Sequence, residues 1–290
     1  MPFQRSFTMF SLPLTILFQL IFNFLPAGKE TQSPVAWETG QDGMQFAEAE
    51  LPEKSSHGDS KVRMIRFQPK NFRYSLVCAT ENGYKKQTID YWAREKGAIA
   101  AINAGMFHGE HSNEKHWGLT NTGYTRNFGH INNPKINADK ACICFNPKKD
   151  GLPLFQIADR TCQNFQQVMN SYETVIQGIR LFDCNQKVVW QKDEKKWSMS
   201  LMLEDREGFI YFLHCRSPYT VNSFCNQLKI LIPNVKRGIY LEGGPESSLF
   251  LQIPEKEWQL MGSYETGFRE DDTNQELWPL ANVVCIRPFP

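Results

Sequence analysis

The sequence predicts an α+β fold, a single domain with largely antiparallel or mixed sheets and a few helices. Two observations carry this. Short apolar runs recur along the chain, bounded by Gly, Pro, Asn and Asp, which is the pattern of strands and turns. Only a few segments place apolar residues at helical spacing, and these are interspersed among the strands. With 290 residues, 41% hydrophobic and 13% aromatic, the chain is long enough to bury a substantial core. The formal charge of +1, with no polybasic or acidic tail, gives no electrostatic pull toward nucleic acid, so no nucleic-acid partner is expected.

At the N-terminus, Arg5 precedes an apolar stretch from about Phe7 to Phe24, and Pro26-Ala27-Gly28 follows. Residues 1–28 therefore read as a signal peptide or a membrane anchor. Pro13, Thr15, Gln19 and Asn23 interrupt the run, whereas a clean span needs about 20 apolar residues. Either reading places the protein outside the cytoplasm: periplasmic, secreted or attached to the membrane through this segment. Residues 29–43 are polar and read as a linker, and 44–290 as the folded domain.

Along the domain, "MQFAEAEL" alternates as a strand, and "VRMIRF" and "RYSLVCAT" are two more around Pro69-Lys70-Asn71. Ile89, Tyr91, Trp92 and Ala98 suggest a short helix that feeds the strand "AIAAI". Residues 103–137 form a long loop rich in Gly, Asn and His, and loops of that length are usually functional or disordered. "ACICF" and "LPLFQIA" read as strands around Asn146-Pro147, and "NFQQVMNSYETVIQGIRLF" as a helix running into a strand. "KVVWQ", "SMSLMLE" and "FIYFLHC" continue the strands, with Asp205-Arg206-Glu207-Gly208 as a hairpin turn. "VNSFCNQLKILI" reads as a helix and "RGIYLE" as a strand. The tail from Pro254 ends in a last strand, "ANVVCIRPF".

An exported chain with an even count of eight cysteines permits disulfides, whose pairing the sequence leaves open. Cys142 and Cys144 share one face of a strand, so each is expected to seek a different partner. No Cys-x-x-Cys pair is present, and His108, His111, His116 and His130 match no ligand spacing, so neither a metal nor a cofactor is expected.

Four stretches are candidates for chemistry. In "IYLEGGPESSLFL" an apolar strand delivers Glu242 into Gly243-Gly244, whose backbone N–H groups can face a ligand; Ser247 and Ser248 add hydroxyls. In "AIAAINAGMFHG" another strand ends in Asn103, which offers a donor and an acceptor at one point. "VIQGIRLF" groups Gln177, Gly178 and Arg180, and an arginine fork suits phosphate or carboxylate. "HCRSPY" holds His214 and Cys215, which as strand neighbours face opposite ways and do not form a nucleophile pair.

Taken in order, "AINAGMF", "GLTNTGYTRN", "VIQGIRL", "KWSMSLMLEDREGFIYFLHCRSPY" and "YLEGGPESSLFL" resemble the phosphodiester glycosidase domain family. The family usually carries Asp where this chain has Glu242, which keeps the charge and reaches one methylene further. The resemblance implies an exported hydrolase that cleaves a sugar-1-phosphodiester, with a phosphorylated carbohydrate or glycan as substrate. Such a reaction wants a carboxylate near the anomeric carbon, as nucleophile, base or electrostatic partner, a role that Glu242 fits, with Asn103 orienting the sugar or the water as the second catalytic residue. Arg180, Gly243, Gly244, Gln177, Ser247 and His214 are then expected to bind substrate. The alternative is an exported protein that binds a phosphorylated glycan or envelope component without cleaving it.

Overall fold

The computed structural model describes Met1, Phe3 and residues 35–109, 118–137 and 140–289. The segment read as a signal or anchor, together with His111 and His116, lies outside the described residues. The elements are β1 (Glu38–Thr39), β2 (Gln45–Glu50), β3 (Lys61–Phe67), β4 (Phe72–Cys78), α1 (Ile89–Glu95), β5 (Ala100–Asn103), β6 (Thr125–Asn127) and β7 (His130–Asn133). There follow β8 (Lys140–Pro147), β9 (Phe155–Ala158), α2 (Phe165–Asn170), β10 (Tyr172–Arg180), β11 (Trp197–Asp205), β12 (Ile210–Tyr219) and α3 (Val221–Leu231). The last are β13 (Val235–Gly243), β14 (Ser248–Ile253), β15 (Lys256–Met261) and β16 (Asn282–Pro288).

These strands form two sheets. The larger runs β1-β2-β3-β12-β11-β13-β10-β6-β7, with β8 also pairing with β10 and β9 with β8; the smaller runs β15-β14-β5-β16-β4. Every described strand pair is antiparallel, so the fold is richer in β-structure than a balanced α+β domain.

Side-chain alternation explains the layering. In β14, Leu249 and Leu251 enter the cluster between the sheets, while Phe250 faces the other way onto Trp92 and Ala93 of α1. In β11, Met202 points between the sheets, and Leu201 and Leu203 point outward to Phe224 and Leu228 of α3. Each sheet thus buries one face against the other sheet and its opposite face under a helix. Helix α3 starts where the Thr220 hydroxyl accepts from Ser223 N at 3.2 Å, and α2 where Asn164 accepts from Gln167 N at 3.2 Å.

Several sequence readings change. "KVVWQ" is not a strand; Val188 makes only an isolated bridge to Phe182, and Trp190 packs on Tyr240 with ring centroids 5.2 Å apart. The turn after β8 lies beyond Asn146-Pro147, which still belong to that strand. Strand β15 was absent from the reading because only Trp258 of its side chains is buried. Residues 38–43, within the stretch read as a linker, carry β1 and a 3-10 turn. Cys142 and Cys144 do not pair with different partners: as free thiols they hydrogen-bond each other, with sulfurs 3.4 Å apart, because alternate residues of one strand share a face. Among the described cysteines, Cys162 and Cys184 form a disulfide and the other six are buried thiols.

The long Asn-rich stretch is held by side-chain amides. Asn121 Nδ2 donates to Ala104 O and to Thr125 Oγ1, both at 2.8 Å, and its Oδ1 accepts from Asn282 Nδ2 at 2.7 Å. Backbone bonds from His108 N to Thr120 O (3.0 Å) and from Thr122 N to Met106 O (2.8 Å) tie residues 106–108 to this stretch. Asn121 is fully buried, so its removal strands several polar partners. Asn121→Ala is expected to cost on the order of 2 kcal/mol or more in denaturant unfolding.

Candidate active site

Strand β13 of the large sheet runs directly into β14 of the small one through Gly243–Glu246, and Glu242 stands at that seam. The pairing of β11 with β13 slips between Ser200 and Leu201, a bulge next to Glu242. Two backbone donors hold the carboxyl: Phe107 N–H donates to Oε2 and Gly243 N–H to Oε1, each at 3.0 Å. Phe107 follows four residues after the end of β5 at Asn103.

The turn requires its glycines. A Cβ on Gly243 would lie 2.2 Å from Tyr240 Oη, and Gly244 has φ +64° with Glu265 Oε2 occupying the space of its missing side chain, 2.4 Å away. Glu242 opens into a pocket of about 330 Å³ walled by Trp190, Trp197, Tyr240 and Met106. Glu246 and Glu265 also line it, and its described lining includes no Lys or Arg. Burial, followed by the nearby Glu246 charge, pushes the Glu242 carboxyl up to about 8, against the pull of its two N–H donors. Burial also raises Glu265 above the ordinary carboxylate range. A second pocket of about 690 Å³ shares Phe107, Glu246 and Glu265 with the first and adds Lys86, His108, Phe268 and Trp278.

Asn103 is fully buried and is not part of the pocket lining. Its Oδ1 accepts from Ser200 Oγ at 2.7 Å and from Ser248 N at 3.0 Å, so it ties β5 to both β11 and β14; its Nδ2 has no hydrogen-bond partner. His214, directly across from Ser200, faces the Ser247 carbonyl through Nε2 at 3.2 Å. Burial lowers its pKa to about 3, so the ring is neutral and Nε2–H is the donor. Ser247 is buried and donates to Gly244 O at 2.9 Å, closing the turn. The structure thus gathers Glu242, Gly243, Gly244, Asn103, Ser247 and His214 at one seam, with Glu242 and Gly243 lining the pocket.

Two sequence candidates lie elsewhere. Arg180 is ion-paired with the buried Asp159 at 3.2 Å and donates to Thr161 Oγ1 at 2.6 Å, beside a neighbouring pocket that includes Trp190. Gln177 is buried and braces the Asn-rich stretch, accepting from Tyr124 N (3.1 Å) and Asn137 N (2.9 Å) and donating to Asn137 O (2.8 Å). Sequence reasoning missed Glu246, Glu265, Trp190 and Trp197. The first lies four residues after Glu242 and Trp197 opens β11, whereas Trp190 and Glu265 arrive from segments outside the strands.

The phosphodiester glycosidase family model matches residues 96–287, a span that includes Asn103, Phe107, Glu242, Glu246 and Glu265 but not Lys86. The chain belongs to the phosphodiester glycosidase family. Its fold is similar to the catalytic domain of zebrafish N-acetylglucosamine-1-phosphodiester α-N-acetylglucosaminidase, auto-inhibited by its pro-peptide. The TM-score is 0.55 at 12% identity over 88% of this chain and 82% of that one. A hypothetical protein from Synechocystis is similar with TM-score 0.55 and 13% identity, covering 88% of this chain and 64% of that one. A protein of Burkholderia pseudomallei is similar with TM-score 0.50 and 7% identity, over 79% and 74% of the two chains. No curated protein sequence matches the chain.

The raised Glu242 has a consequence for stability. Between about 4.5, its ordinary value, and about 8, the folded protein keeps a proton that the unfolded chain has released. The stability this confers is fully present below 4.5 and is lost as pH rises toward 8. Glu242→Gln is expected to remove that slope, so its unfolding midpoint gains on wild type as pH is raised through this window in thermal denaturation.

Proposed function

We propose that the protein hydrolyses the bond between an anomeric carbon and a phosphate oxygen in a sugar-1-phosphodiester, outside the cytoplasm. The observation that carries this reading is Glu242, a carboxyl that holds its proton near neutral pH at the end of an aromatic-walled pocket. Family membership supports the substrate class, and the disulfide suits an oxidising compartment. A pocket of this volume accommodates one sugar ring, with Trp190 and Trp197 offering apolar faces to its C–H surface. The phosphate and its second substituent extend toward Lys86 and His108 in the adjoining pocket.

In this arrangement Glu242 donates its proton to the leaving phosphate oxygen as the anomeric C–O bond breaks. A neutral Glu242 also spares an anionic substrate one repulsive charge in a pocket already holding two other carboxylates. Gly243 and Gly244 allow the backbone and Glu265 to approach closely, and Asn103 acts as a positioning residue through Ser200 and Ser248. Arg180, held by Asp159, serves the pocket beyond Trp190.

Two measurements test the reading. Glu242→Gln is expected to lower release of free sugar from a sugar-1-phosphodiester by about 10²–10⁴-fold, the usual contribution of a general acid. Wild-type turnover in that variant excludes Glu242 as the proton donor. The wild-type kcat/KM should fall as pH rises past about 8, where Glu242 loses its proton. A rate that climbs through the same pH points to an ionised Glu242 as the working form.

A further inference from the structure

We propose that Glu265 is the second reacting carboxylate of this site, the base that activates water against the anomeric carbon. The assignment rests on the hydrolytic reading above. It starts from placement: Glu265 lines the aromatic-walled pocket read as holding the sugar and reaches the adjoining one as well. Its Oε2 packs over Gly244, in the space a Cβ would fill, so the two acids flank one turn.

The backbone around Glu265 is fixed with unusual thoroughness. Its N–H donates to Arg269 O at 2.7 Å, and its carbonyl accepts from Phe268 N at 3.1 Å and Arg269 N at 2.9 Å. On either side, Tyr264 N donates to Ser198 Oγ at 3.0 Å and Thr266 N to Lys196 O at 3.1 Å. Gly267, at φ +83°, permits the tight return. None of these bonds engages the carboxylate, which has neither a hydrogen bond nor an ion pair among the described residues. A half-buried carboxylate without a partner costs stability. A chain that spends so many backbone bonds to aim one into a pocket is pre-organising it for a ligand.

The step balances with water as the only co-reactant. Water oxygen bonds to the anomeric carbon while Glu265 takes one of its protons. The bond from carbon to phosphate oxygen breaks, its electron pair goes to the phosphate, and Glu242 supplies that oxygen with a proton. The products are the free sugar and a phosphomonoester, with one proton moved from Glu242 to Glu265 and returned through solvent. Attack by water on the face opposite the leaving group inverts the anomeric configuration.

The test uses the full chain and a synthetic N-acetylglucosamine-1-phosphodiester. Glu265→Gln is expected to lose about 10²–10⁴-fold in kcat with KM little changed. Glu265→Ala with added azide should regain turnover and yield the glycosyl azide of inverted configuration, a readout that a merely structural role does not produce. Wild-type product, read by NMR before mutarotation, should likewise be inverted. Wild-type turnover in Glu265→Gln, no azide rescue, or a product of retained configuration overturns the assignment. Wild-type protein that releases no sugar at all overturns the hydrolytic reading itself, a result distinct from the loss of activity in Glu265 variants alone.

Discussion

The candidate site depends on one hydrogen bond, from the backbone N–H of Phe107 to the carboxyl of Glu242. Its two ends belong to different sheets: Glu242 terminates a strand of the large sheet, and Phe107 follows a strand of the small one. Much of the surrounding architecture keeps that approach in place. The cluster between the sheets fixes their separation, Asn103 bolts β5 to β11 and β14, and the buried amides around Asn121 support the chain that carries Phe107.

The electrostatic consequence follows from geometry. Two N–H dipoles favour a charged Glu242, yet burial and two neighbouring acids outweigh them, and the group stays protonated to about 8. The same surroundings silence His214: deep burial leaves it neutral, so its place at the seam is that of a donor to a carbonyl rather than a proton shuttle. The six buried thiols are likewise apolar filling; burial raises Cys78, Cys142, Cys215, Cys225 and Cys285, which keeps them protonated and unreactive.

Much of this was legible in the sequence where the signal is local. Alternation marked β2, short apolar runs marked β3, β11, β12 and β16, whose side chains are buried on both faces, and "VNSFCNQLKILI" showed its helix because one stripe of it is apolar. The acid-Gly-Gly segment announced a turn that tolerates no side chains. What stayed hidden is non-local. Glu265 sits in "GSYETGF", which looks like any polar turn until Trp197 and Ser198 hold it over Gly244. Trp190 lies in a run with strand-like composition, yet it leaves the sheet to pack on Tyr240. Gln177 and Arg180 looked like ligand groups and are bound by the protein's own Asn137 and Asp159, partners no spacing rule could name. The Asn-rich stretch read as a functional or disordered loop; among its described residues Asn121, Asn132 and Asn133 are buried and bond one another and the backbone.

The central claim is that Glu242 carries a proton at neutral pH inside the folded protein. Carboxyl-carbon NMR titration of glutamate-labelled protein, with Glu242→Gln to assign the resonance, tests it without any substrate. A midpoint close to 8 is the predicted result. A midpoint near 4.5, the ordinary value for glutamate, would contradict it.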